Sequence, residues 1–136
     1  MKLMEYSKLL NLEYKNYVVL VRFGNFYKCF DNDALIVGNL LNYKVKDNIV
    51  VFPLSSLGKV IITLKNNNVS AIVVKEQDNI MNVEVLENNY IGVLEKIKDE
   101  DIFANKIKDL VHRISFLLRQ DIDNYEKIRD YLIKLN

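Results

Sequence analysis

The residues best placed to do chemistry stand close together in the stretch RFGNFYKCF: Arg22, Asn25, Phe26 and Lys28. An aromatic ring just past a turn, with a cation two residues on, is one way to grip nucleic acid. The ring wedges between bases while cations meet the phosphates. The same pattern is also a way to close a hydrophobic core. Other candidates are sparse. Asp31 and Asp33 are closely spaced carboxylates, but they fall where a helix begins, and the helix dipole favours acids there. His112 is the only histidine and lies between apolar positions of helical spacing, without the companions that a metal site or catalytic triad requires. Cys29 is the only cysteine, which excludes an internal disulfide, and its strand-like surroundings suit a buried, inert thiol. The Gly58-Lys59 pair lacks both the earlier glycine and the following Ser or Thr of a phosphate-binding loop, and no GxGxxG occurs. The expectation is a protein that is not an enzyme and needs no cofactor or metal.

These residues have to be positioned by a hairpin. Gly24-Asn25 separates two β-rich runs, YVVLVRF and FYKCF, a strong signal for a two-residue turn. Such a turn pairs Phe23 with Phe26, Val21 with Lys28 and Val19 with Phe30. One face then carries Val19, Val21, Phe23, Phe26, Lys28 and Phe30, and the other Val18, Leu20, Arg22, Tyr27 and Cys29. Both faces are largely apolar, as in central strands covered on each side. Arg22 and Tyr27 lie opposite each other and are in place for a cation–π contact.

Around the hairpin, residues 2–13 have the spacing of an amphipathic helix. Asp31 or Asn32 is in position to cap a helix through Leu41. Residues 43–46 and 49–52 read as short strands, and Pro53 with Ser55 or Ser56 opens another helix. Residues 69–74 and 81–86 read as strands. Beyond Tyr90 the pattern is helical: Phe103, Ile107, Leu110, Ile114 and Leu117 form one stripe, and Tyr125, Ile128, Leu132 and Leu135 a second. The run Lys98-Asp99-Glu100-Asp101 reads as a helix start, and Asp123 with Glu126 as a capping box. The fold class expected is α/β (α+β), a mixed β-sheet with packed helices followed by a C-terminal helical hairpin. The domains expected are residues 1–90 and a helical extension over 91–136, whose stripes at 103–135 are suited to a homo-oligomer or a protein partner.

Composition sets limits on partners. The 136 residues are half hydrophobic, with 19 basic and 18 acidic side chains and a net charge of +1. That balance lacks the strong positive field of a dedicated nucleic-acid binder, so any basic patch has to be local. No apolar run reaches the roughly 18–20 residues that cross a bilayer, and MKLMEYSKLL lacks a signal peptide's apolar core and cleavage pattern. A cytoplasmic, reduced location without membrane attachment is expected.

Taken in order, the pieces of residues 1–88 resemble the N-terminal mismatch-recognition domain, domain I, of the MutS DNA mismatch-repair family. That domain opens on a helix with a Gln-Tyr-type segment, matched here by Met4-Glu5-Tyr6 with Lys8. Its turn of the form RxGDFYExFxxDA is matched by Arg22 through Phe30 and then Asp33-Ala34. Its Leu-Leu helix end is matched by Leu40-Leu41, its Pro-led segment from Pro53, and its strand ending in Glu-Gln by AIVVKEQ at 71–77. The resemblance implies a minor-groove wedge at Phe26. It places Lys28 where the family carries a Glu that hydrogen-bonds the mispaired base. A carboxylate accepts hydrogen bonds and an ammonium only donates them, so base reading by the family's route has lost its acceptor. The resemblance implies a non-catalytic module that contacts mismatched or distorted duplex DNA through Phe26, Lys28, Arg22 and Asn25. The alternative is a protein-interaction or oligomerisation scaffold that has lost DNA recognition.

Overall fold

The computed structural model describes residues 2–135. Their order is α1 (Leu3–Glu13), β1 (Val18–Phe23), β2 (Phe26–Phe30), α2 (Asp31–Leu41), β3 (Ile49–Pro53), a 3₁₀ turn (Leu54–Ser56), α3 (Leu57–Asn66), β4 (Ala71–Glu76), β5 (Asn79–Val83), α4 (Tyr90–Gln120) and α5 (Ile122–Lys134). The strands make one mixed sheet in the order β3-β2-β1-β4-β5. β1 and β4 are parallel, and every other pair is antiparallel. The chain divides into two compact units, residues 1–97 and 98–136.

In the first unit the two-face reading of the hairpin holds. Val19 and Val21 join Ile72, Val74 and Leu10 in a cluster covered by α1. Val18, Leu20, Tyr27 and Cys29 lie in the larger core on the other face, beneath α2 and α3. Burial raises the Cys29 thiol well above its ordinary range, which leaves it inert. The first turns of α4 belong to this core as well, through Tyr90, Leu94 and Ile97. A polar clasp sets up that helix: Asn88 donates to the Asn16 carbonyl at 2.7 Å and accepts from the Ser70 amide at 3.1 Å, and the Asn89 amide donates to the Asn68 carbonyl at 2.6 Å.

Several boundaries differ from the sequence reading. Residues 43–46 are not a strand; only Lys46 bridges to Ile49, across positive-φ residues Asp47 and Asn48. Gly38 explains the close approach of that loop, since a Cβ there would lie 3.1 Å from the Tyr43 carbonyl and closer still to Val45. No side chain caps α2. The Lys98–Asp101 run lies inside α4 rather than at its start. α5 is capped by Asp121, whose carboxylate accepts from the Asp123 amide at 3.1 Å, so a single cap at Asp121 stands in place of the box expected of Asp123 and Glu126.

In the second unit α4 and α5 are separated by Asp121 in extended conformation. None of residues 98–135 is buried. Among the described residues, no helix is long and apolar enough to cross a membrane.

Candidate nucleic-acid interface

The hairpin register follows from its turn. Gly24 takes φ +61°, the first position of a primed two-residue turn, where a side chain is strained even though space is open. Phe23 then pairs with Phe26, Arg22 with Tyr27 and Val21 with Lys28. Strand alternation does the rest. Tyr27 points down and is 3% exposed, stacked on Phe52 at 5.8 Å, with Phe52 in turn stacked on Tyr43 at 6.1 Å. Phe26 points to the other face and is 48% exposed, beside Phe23 at 58%. The buried aromatic stack anchors the hairpin, and the two phenylalanines are left projecting at its end.

The turn is held from two sides. The Asn25 carbonyl accepts from the Leu54 amide at 3.1 Å, tying the turn to the start of the 3₁₀ segment. Arg22 Nε donates to the Gly24 carbonyl at 3.1 Å, folding the guanidinium back on its own turn. The expected contact of Arg22 with Tyr27 is therefore replaced. The cation–π pair of this hairpin is Lys28 with Phe23, with Nζ 4.6 Å from the ring centroid. Lys28 is half-buried and faces the same side as Phe26.

Pairing with β3 extends this surface in a way the sequence reading missed. Phe26 lies opposite Pro53 and Lys28 opposite Val51, and both partners are exposed. α1 covers the β1–β4 part of this face, so Phe23, Phe26, Val51 and Pro53 form an open apolar patch crossed by the Lys28 ammonium. The signal was available in IVVFP, where Val50 and Phe52 alternate inward against Val51 and Pro53 outward. On the other side of Phe23 lies a cleft of about 320 Å³, whose walls include Tyr6, Arg22, Lys75 and Glu76. Arg22, Lys28 and Lys75 thus stand around the hairpin end, with Glu76 the acid among them.

Asp33 plays a part that its sequence context concealed. It is buried, and its carboxylate accepts from the Val19 amide at 3.1 Å and from the Tyr90 hydroxyl at 2.6 Å. Burial pushes its pKa up to about 7 from 3.8, and the hydrogen bonds from Tyr90 and Val19 oppose the rise only in part. The Tyr90 hydroxyl is raised too, by burial and by the adjacent carboxylate. Asp33 therefore ties the root of β1 to the first turn of α4, while Asp31 is exposed. Among the described residues, no group of three or more His, Cys, Asp or Glu side chains is arranged to hold a metal. His112 is exposed on α4.

No curated protein matches the chain. The family model described as MutS domain I matches residues 2–88, from the helix that backs the sheet to the clasp residue Asn88. The chain belongs to the MutS domain I family.

Proposed function

We propose that residues 1–97 form a non-catalytic DNA-contacting module in which Phe26 enters a distorted or mismatched duplex from the minor groove. The observation that carries this reading is the split between Tyr27 and Phe26. The core takes the first ring and leaves the second projecting from a turn that is fixed on both sides. A rigid projecting ring suits a wedge, because unstacking a base step costs a few kcal/mol and a mobile side chain would add its own ordering entropy. Arg22, Lys28 and Lys75 supply the nearby positive charge, and Asn25 the polar turn tip. With a net charge of +1 for the whole chain, few phosphate contacts are available. A single copy is then a weak binder with a shallow salt dependence.

The test is titration of labelled duplexes, mismatched and fully paired, across a salt series. The expected results are tighter binding to the mismatched duplex and a loss of about tenfold or more on Phe26→Ala, in line with the roughly 1–3 kcal/mol of a stacked base. Equal binding by the Phe26→Ala variant, or a salt slope of zero, removes the wedge.

A second reading has its own support. Lys28 replaces the family's base-reading acid and is engaged with the Phe23 ring, while most large apolar side chains of the second unit are exposed. Those features fit a scaffold that kept the domain I fold and works through protein contacts.

A further inference from the structure

The two donors that reach the Asp33 carboxylate come from distant parts of the chain, the Val19 amide of β1 and the Tyr90 hydroxyl of α4. Both donors are neutral, and among the described residues no cation forms an ion pair with Asp33. A buried carboxylate with neutral partners alone favours its protonated form, because two neutral hydrogen bonds return only part of what ionisation loses away from water.

Water is close at hand. Asp33 lies at a cleft of about 350 Å³, lined by Tyr90, Ile91 and Leu94 of α4 together with Asn11, Lys15 and Asn16. The hold of α4 on the first unit is also short. Its buried side chains are Tyr90, Leu94 and Ile97, and none of residues 98–120 is buried. If residues 90–97 lift, Asp33 loses the Tyr90 hydroxyl and gains solvent in its place, while its bond to Val19 lies within the sheet unit and can persist. The lifted state therefore accepts an ionised Asp33 more readily than the docked state does.

We infer that Asp33 is a proton-controlled latch for the root of α4: protonated, it keeps the helix docked through Tyr90, and ionised, it lets residues 90–97 lift while the sheet stays folded. The groups around it set no competing switch. Lys15 lines the cleft without pairing with Asp33, and the charge of Asp31, on the same helix, opposes ionisation. Tyr17 at the cleft, Cys29 from β2 and Tyr90 from α4 are all raised, first by loss of solvation, so none ionises before Asp33. β1 contributes only the Val19 amide. With Asp33 raised to about 7 from 3.8, the docked helix holds a proton that the lifted one releases. Docking is firmest below pH 3.8 and weakens as the pH climbs through about 7.

Amide hydrogen exchange on the full chain, resolved by NMR and corrected for the intrinsic rate at each pH, tests the latch. Opening at Leu94 and Ile97 is expected to rise by up to about tenfold per pH unit through that window and then level off. It should depend little on urea, as a local opening does. The Ile72 and Val73 amides of β4 should open only through the urea-dependent global transition. Asp33→Asn cannot ionise and should flatten the pH dependence. Tyr90→Phe keeps the ring, removes the donor and should raise opening about fivefold or more at every pH. Three results would each overturn the inference: opening at Leu94 and Ile97 that ignores pH, opening that shares the urea dependence of β4, or a pH slope that survives in a folded Asp33→Asn protein. Should Asp33→Asn not fold, the pH and urea dependence of the unaltered chain decides.

Discussion

The two units of this protein use similar amino acids to opposite effect. In residues 1–97, Val, Ile, Leu and aromatic side chains disappear into two cores on either side of a five-stranded sheet. In residues 98–135, side chains of the same kinds recur at helical spacing and none is buried. A single helix shows both behaviours: Tyr90, Leu94 and Ile97 of α4 are buried, while Ile107, Leu110 and Leu117 are exposed. The difference teaches that apolar periodicity states a demand for cover without saying where it will be met. The sheet meets it for the first turns of α4, whereas none of residues 98–120 of the same helix is buried.

The largest effect that bears on this contrast is expected from paired truncations on the one helix. Leu94→Ala removes a buried side chain and should cost about 2–5 kcal/mol of unfolding free energy. Leu117→Ala, measured in dilute solution where chains are separate, should fall within about 0.5 kcal/mol of the parent. Urea denaturation followed by circular dichroism checks both. Equal costs would mean that the two parts of α4 are not energetically distinct.

The link between β1 and α4 gives the next effect, and its sign follows from Asp33. A carboxylate whose folded pKa is raised to about 7 from 3.8 holds a proton that the unfolded chain releases. Its contribution is fully present below pH 3.8 and is lost as the pH climbs through about 7. The Asp33→Asn variant should lose the decline between about pH 4 and 7 that Asp33 is expected to give the parent. Stability measured as a function of pH, parent against variant, isolates the difference. A parallel pair of curves would place the ionised carboxylate comfortably in the fold. Tyr90→Phe tests the same link from α4 and should cost about 1–3 kcal/mol, because it leaves a buried carboxylate oxygen without its donor.

Much of the first unit was legible because its signals are local. Gly24-Asn25 fixes the turn, the turn fixes register, and register assigns Phe26 and Tyr27 to opposite faces. The Val69–Val74 run read as a buried strand for the same reason. Long-range consequences were not legible. Asp33 reads as a helix-start acid, and only the meeting of β1 with α4, 57 residues on, reveals its link to Tyr90. The exposed partners Val51 and Pro53 become part of the hairpin surface only when β3 pairs with β2. The strand expected at 43–46 failed because Asp47 and Asn48 both take positive φ, which leaves a tight loop in place of a second rung. At α5, Asp121 and Asp123 are both acceptable caps by type, and the extended backbone at Asp121 decides between them.

The smallest effect, and the one that reaches the candidate site most directly, concerns Lys28. Its ammonium lies 4.6 Å from the Phe23 ring centroid, an arrangement worth about 0.5–1 kcal/mol at an exposed site. Lys28→Glu places a carboxylate against the negative face of that ring, so a loss of about that size is expected. A double-mutant cycle with Phe23→Leu should recover the same figure as a coupling energy. A coupling near zero would show that the lysine is free to serve a ligand and is not held by the ring. On the resemblance of this hairpin to the domain I motif, the same variant would supply a hydrogen-bond acceptor at this position. If the hairpin end contacts duplex DNA, Lys28→Glu should weaken binding to fully paired duplex, through the lost cation, more than it weakens binding to the mismatched one. The ratio of the two affinities then rises even as both fall. A scaffold that has given up DNA would show no ratio to change, so this substitution separates a stability role for Lys28 from a recognition role within one set of titrations.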